Sequence, residues 1–178
     1  GKDITFDEDF SVEQAITASG KINTIVGDIS SARLNKKPLS TLEKFLWAYK
    51  ETTNHFYKKE DEDESSAISR DLISILNGDK IVCAGFANML FTLCNRLNIP
   101  CTLQHLIVGG NKIENHMTCV VRIDDDKYGI HGIFHSDPTF DCTQSNNSIY
   151  GKESFDFALV PYKHLDIRQV VLDNVDRM

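Results

Sequence analysis

Three residues in the middle of the chain have the types, and the order, that acyl chemistry at a thiol requires. Cys83 follows Gly78-Asp79-Lys80-Ile81-Val82 and opens an apolar stretch, His116 opens a run of alternating residues, and Asp137 lies within His135-Ser136-Asp137-Pro138-Thr139-Phe140-Asp141. A thiol is a poor nucleophile until it loses its proton, which free cysteine does at a pKa of about 8.5. The first turn of a helix lowers that value, because its unpaired N–H groups and aligned peptide dipoles favour the thiolate. Those N–H groups can also donate to an oxyanion forming on an attacked carbonyl. A histidine on a neighbouring strand holds the ion pair and then protonates the leaving amine. A carboxylate at the end of the next strand fixes the imidazole's tautomer and orientation. The expected catalytic set is therefore Cys83 as nucleophile, His116 as proton carrier and Asp137 as orienting group, with Asp141 as first substitute for Asp137. Each also has a purely structural alternative: a small buried cysteine, a strand histidine bonded to its neighbour, and a turn-forming Asp before Pro138. No side chain identifies itself as the one that completes an oxyanion hole, and Trp47 and Tyr57 are the candidates.

Metal binding is the competing use of cysteine and histidine, and spacing argues against it. His116 and Cys119 have opposite parity on a strand and point to opposite faces. His131 and His135 share a face, but four residues at about 3.3 Å each part them by roughly 13 Å. Cys94 lies eleven residues along a helix from Cys83, about 16 Å away at 1.5 Å per residue. None of these spacings matches a zinc chelate. Asp124-Asp125-Asp126 is too short for a calcium loop. The chemistry above needs neither an organic cofactor nor a catalytic metal.

The elements that must position these residues follow from periodicity. Ser11 and Gln14 form a capping box at the head of a helix expected to end near Gly20. Ser40-Thr41-Leu42-Glu43 is a second capping box, after Pro38, and Leu42, Phe45, Leu46, Tyr49 and Phe56 form one stripe of a helix over residues 41–58. Glu60 to Glu64 is an acidic run, read as a solvated loop or as a rim that attracts a basic segment. Ile68, Leu72, Ile75 and Leu76 mark a third helix, closed by Asn77-Gly78. The fourth, over 83–98, carries Phe86, Leu90, Leu93, Cys94 and Leu97 inward and is apolar again at Met89 and Phe91. Such a helix is buried in the middle of a domain. Asn98-Ile99-Pro100 stops it.

From there the period changes from 3.6 to 2. Thr102–Val108, His116–Ile123 and Lys127–His135 read as strands, joined by turns at Gly109-Gly110-Asn111 and Asp124-Asp125-Asp126, with further β structure near Phe155–Val160. Helices first and an antiparallel sheet after them predict an α+β domain. Residues 1–178 are expected to form one domain: a lead-in and helix over 1–40, a motif-bearing core over 41–142, and completion of the sheet by 143–178.

The 178 residues are 41% apolar and 25% charged, with a formal charge of −7, so they can bury a core but offer no broad basic footprint for nucleic acid or an anionic membrane. No apolar run approaches the ~18 residues that a membrane span needs. Five cysteines cannot all pair within one chain, which argues against a disulfide-stapled miniprotein. Gly1 in place of Met points to a processed chain or an excised piece, and leaves the compartment open. Cys94 faces the core; Cys101 and Cys142 are left free to approach one another. His135 is a candidate neighbour of the catalytic set, while His105 and His131 have no assigned role.

The segment VCAGFANMLFTLCNRLNIPC resembles the cysteine-helix signature of the transglutaminase-like superfamily, HMTCVVRI its histidine strand, and HSDPTFD its Asp-x-Thr-aromatic-Asp segment. STLEKFLWAYKETTNHFY is similar to the helix that commonly precedes the cysteine in bacterial members. The resemblance covers roughly residues 40 to 142. It implies a papain-like fold, with the catalytic triad at Cys83, His116 and Asp137. The reaction it implies is acyl transfer from a protein or peptide carboxamide: a thioester forms, ammonia leaves, and an amine or water resolves the thioester. Some members are proteases or amidases instead, some are inactive scaffolds, and calcium regulates some. Met117-Thr118 stand where the family usually has a small residue and Trp, so His116 is expected to lack its aromatic flank. Asn98 replaces the usual Gly before Ile99-Pro100, and His135-Ser136 precede the aspartate.

Overall fold

A computed structural model describes residues 12–55, 57, 72–77, 81–108, 114–142, 155–162 and 170–172. Helix α1 (Val12–Ser31) is longer than its expected stop at Gly20, and runs through both Gly20 and Gly27. Its buried stripe of Ala18, Ile22 and Ile29 continues past the first glycine, and that burial outweighs the ~1 kcal/mol each glycine costs a helix. The capping box at Ser11 lies outside the described residues. A two-residue hairpin follows, strands β1 (Arg33–Leu34) and β2 (Lys37–Pro38), turning at Asn35 and Lys36 with φ of 51° and 66°.

Helix α2 (Thr41–Thr53) begins at the expected capping box: Ser40 N–H donates to Glu43 Oε2 at 2.7 Å and Glu43 N–H to Ser40 Oγ at 3.4 Å. The helix stops earlier than residue 58. Asn54 leaves helical geometry and caps Lys50 with its N–H, after which Tyr57 pairs in parallel with Ile81. Phe56, Ile68, Gly78, the acidic run and the Gly109-Gly110-Asn111 turn lie outside the described residues. Helix α3 (Leu72–Asn77) buries Ile75 and Leu76.

Helix α4 (Cys83–Arg96) is the central element. It packs against α1, α2, α3 and two sheet strands, and Phe86, Ala87, Met89, Leu90, Leu93 and Cys94 are all fully buried. Its end is a Schellman closure, with Ile99 N–H on the Cys94 carbonyl at 2.9 Å and Asn98 N–H on that of Asn95 at 3.2 Å. Asn98 takes φ 59° there, a conformation that favours Gly and next tolerates Asn. The exchange of Gly for Asn thus keeps the geometry.

The sheet is antiparallel in the order β6-β5-β4-β3-β7, built from β3 (Cys101–Val108), β4 (Glu114–Asp125), β5 (Ile130–Ser136), β6 (Val160–Pro161) and β7 (Val170–Leu172). Cys101, Cys119, Val121 and Ile123 are buried in the core beside α4. β5 starts three residues later than expected, because residues 126–129 form the turn, with Gly129 at φ 65°. β structure near Phe155–Val160 reduces to β6, preceded by a turn. The architecture is α+β, as expected, with helices on an antiparallel sheet whose two edge strands both come from residues after 155. Among the described residues no helix is long and apolar enough to cross a membrane.

Candidate active site

Cys83 is the first residue of α4, after Val82 in extended geometry with no side-chain cap. Gly85 and Phe86 N–H turn back to the Val82 carbonyl, whereas the N–H groups of Cys83 and Ala84 have no carbonyl partner within the helix. The thiol is half-buried. Burial alone would push its pKa up, but a hydrogen bond from His116 and the backbone N–H groups of Met117 and Ala84 outweigh it, and the net shift is downward.

His116, near the start of β4, places Nε2 2.6 Å from Asp137 Oδ2, which leaves Nδ1 for the thiol. Burial disfavours the imidazolium, yet Asp137 and Cys83 together raise its pKa to about 10. Both shifts run in the direction of a thiolate–imidazolium pair. Asp137 follows directly on β5 and is buried. Its second oxygen accepts from Thr139 N–H at 3.1 Å, and its own N–H donates to the Phe157 carbonyl at 2.9 Å. Cys83, His116 and Asp137 therefore meet.

Asp141, expected as a substitute, has different work. Its Oδ2 accepts from the Tyr49 hydroxyl at 2.7 Å and from Phe157 N–H at 2.9 Å. The same hydroxyl lies 3.0 Å from the Asp137 carbonyl. Burial, then the charge of Asp141, drives the Tyr49 pKa far up, so it remains a hydroxyl donor. Tyr49 looked like one more apolar stripe residue in the sequence. The available signal was its oxygen, which needs a partner wherever a tyrosine is buried. His135 sits beside the pair, its Nε2 2.9 Å from Thr118 Oγ1. Burial lowers its pKa against the pull of Asp137, and the charge of His116 lowers it further.

The expectation that His116 lacks an aromatic flank is overturned. Phe140 from the aspartate segment packs on the imidazole with ring centroids 5.4 Å apart, and Phe157 backs Phe140 at 5.2 Å. The flank comes from the next loop instead of from the histidine's own strand, where Thr118 serves His135.

Of the two oxyanion candidates, Trp47 donates its indole N–H to Glu51 Oε1 at 3.0 Å. Tyr57 lies beside the start of α4, with its backbone bridged to Ile81 and its ring stacked on Phe86. The other four cysteines are buried and form no disulfide. Cys101 meets Cys94 and Cys119 instead of Cys142, and Cys142 Sγ donates to the His55 carbonyl at 2.8 Å. Among the described residues no group of three or more His, Cys, Asp or Glu is placed to hold a metal ion.

No protein family and no curated protein matches the chain by sequence. Solved structures do. A transglutaminase (TGase) superposes with a TM-score of 0.54 at 16% identity, over 92% of this chain and 39% of that one. A candidate cysteine protease from Cytophaga hutchinsonii aligns with a TM-score of 0.42 at 15% identity, over 74% of this chain and 43% of that one. The chain spans about two-fifths of the length of each. At such identities the likeness shows the fold alone, and that fold is transglutaminase-like.

Proposed function

We propose that, on this transglutaminase-like fold, the chain performs thiol-dependent acyl transfer or amide hydrolysis on a protein or peptide carboxamide, through a thioester at Cys83. The observation that carries this reading is the contact chain from the Cys83 thiol through His116 to Asp137, closed by the 2.6 Å bond at Nε2. The thiolate adds to the carbonyl carbon, and its electron pair becomes the S–C bond as the C=O pair moves to oxygen. The C–N bond then breaks, and the proton on His116 Nδ1 goes to the departing nitrogen as ammonia or an amine leaves. An amine or water attacks the thioester, gives its proton back to His116, and releases the thiolate. Asp137 keeps the ring in the one orientation that serves both halves.

A cysteine protease would use the same groups, and the products tell the two apart: new peptide ends against ammonia or isopeptide links. A binding module without turnover is the remaining alternative. Iodoacetamide alkylation of each cysteine across pH, read peptide by peptide against denatured protein, tests the thiolate. Cys83 is expected to react fast well below pH 8, and His116→Ala to remove that advantage. Reaction no faster than in denatured protein would place the chain among the scaffolds. Cys83→Ala should abolish thioester formation while the protein stays folded, since alanine is a good residue at a helix start.

A further inference from the structure

Two groups of one short loop bear on His116. Asp137, at the start of the loop, lies 2.6 Å from Nε2, and Phe140 packs on the ring with centroids 5.4 Å apart. Whatever fixes residues 137–141 therefore fixes both contacts. Main-chain bonds do part of this. Thr139 N–H donates to the second Asp137 oxygen, while Phe157 accepts the Asp137 N–H on its carbonyl and gives its own N–H to Asp141 Oδ2. These bonds tie the loop to itself and to the turn at Phe157, but not to the helices that carry and support Cys83.

Tyr49 makes that connection. It is fully buried on α2, and α2 packs against α4, which begins at Cys83. A buried hydroxyl is costly unless it is bonded, and both bonds of this one go to the ends of the same loop. It reaches the Asp137 carbonyl at 3.0 Å and Asp141 Oδ2 at 2.7 Å. The other Asp141 oxygen is buried without a hydrogen-bond partner among the described residues, so Tyr49 and the Phe157 N–H are what anchor that carboxylate. Phe45 and Phe155 fix the Tyr49 ring in turn, with centroids 5.9 and 6.0 Å away. Burial, and the charges of Asp141, Asp137 and Cys119 around it, keep the phenol protonated. It therefore adds a hydrogen bond and no titration of its own.

We propose, building on the thioester reading above, that Tyr49 is a positioning residue for acyl transfer. With one buried hydroxyl it pins both ends of the 137–141 loop to the helix layer, and so sets the Asp137 carboxylate and the Phe140 ring against His116.

Tyr49→Phe removes the oxygen and keeps the ring between Phe45 and Phe155. Asn98→Ala, at the far end of α4, is the control for lost stability alone. Three quantities are measured in both variants and in the wild-type chain: the pH midpoint for iodoacetamide alkylation of Cys83, the hydrolysis rate of the acetyl thioester formed there with p-nitrophenyl acetate, and the melting temperature. In the hydrolysis water adds to the acetyl carbon as its proton passes to His116, the C–S bond breaks, and acetate leaves the thiolate. That step needs an oriented imidazole, whereas alkylation needs only the thiolate.

Tyr49→Phe is expected to move the midpoint to higher pH, because an imidazolium less well held by Asp137 supports the thiolate less. Hydrolysis of the thioester is expected to slow about ten- to a hundredfold, as a misplacement of up to about 1 Å costs. Asn98→Ala is expected to lower the melting temperature and leave the other two quantities at their wild-type values. Unchanged hydrolysis in Tyr49→Phe, whatever its melting temperature, overturns the proposal, and so does an equal slowing in Asn98→Ala. A wild-type Cys83 that reacts with neither reagent faster than unfolded chain defeats the thioester reading, and this proposal with it.

Discussion

Both oxygens of Asp137 accept hydrogen bonds, one from His116 and one from the Thr139 N–H. An asparagine at this position can satisfy only one of those donors. With its NH2 toward His116 it forces the imidazole into the wrong tautomer; with its NH2 toward Thr139 it leaves a buried N–H unpaired, at about 1–3 kcal/mol. Asp137→Asn also removes the charge that helps raise the His116 pKa to about 10. The imidazolium is then less favoured, the thiolate loses its partner, and the Cys83 pKa, lowered in the native chain, moves back up. The expected outcome is a midpoint for Cys83 alkylation shifted to higher pH. Acyl transfer should fall by at least about a hundredfold, measured as ammonia release from a glutamine peptide. The three central residues were legible because each sits at the start or end of a periodic element. Tyr49 and the tasks of Asp141 were not, because they depend on contacts between residues up to 92 positions apart, which no local pattern records.

Helix α4 and strands β3 to β5 were readable for the same reason that they are stable: their apolar periods are long and unbroken. The misread elements are those where one local rule lost to packing. Gly20 is a plausible helix stop, yet α1 has a buried stripe on both sides of it. The Arg33–Pro38 hairpin turns on Asn35-Lys36, not on an Asn-Gly pair, and so carries no strong turn signature. α2 halts at Asn54 because the chain must reach Ile81. Asn98 offers a test at this scale. Its left-handed backbone costs a residue with a Cβ about 1–2 kcal/mol, least for Asn and nothing for Gly. Asn98→Ala should therefore lower the melting temperature by about 2–4 °C per kcal/mol lost, while Asn98→Gly should hold or slightly raise it. Equal melting temperatures for both variants would mean that the α4 terminus is not held in this conformation.

Across the molecule, α2 acts as a strut between the two ends of β5. At one end Asp125, buried at the β4–β5 turn, accepts from Leu42 N–H at 2.6 Å and from Lys127 and Tyr128 N–H at 3.0 and 3.2 Å. Lys127 and Tyr128 also reach Glu43 with their side chains. At the other end Tyr49, two turns down α2, holds the loop that carries Asp137. Asp125→Ala leaves three backbone donors without their acceptor. It should cost about 2–4 kcal/mol from hydrogen bonds to a charged group, seen as a lower urea midpoint. An unshifted midpoint would show that the strut adds nothing to global stability. A polar turn was legible at residues 124–126 but forms at 126–129, after Asp124 and Asp125 have paired within the sheet, and the use of Asp125 as the anchor of a helix 83 residues away was not legible.

The five thiols divide unevenly between the surface and the interior. Cys83 alone is half-buried, and the other four are closed into the core, Cys119 against the Ala87 carbonyl and Cys142 against that of His55. Peroxide attacks thiolates that it can reach, so oxidation begins at Cys83. The thiols that might have captured a sulfenic acid there as a disulfide are shut away behind packed side chains. A stored sample of this protein would accordingly age first at Cys83, advancing toward sulfinic acid at one atom while its melting curve still reports an intact fold.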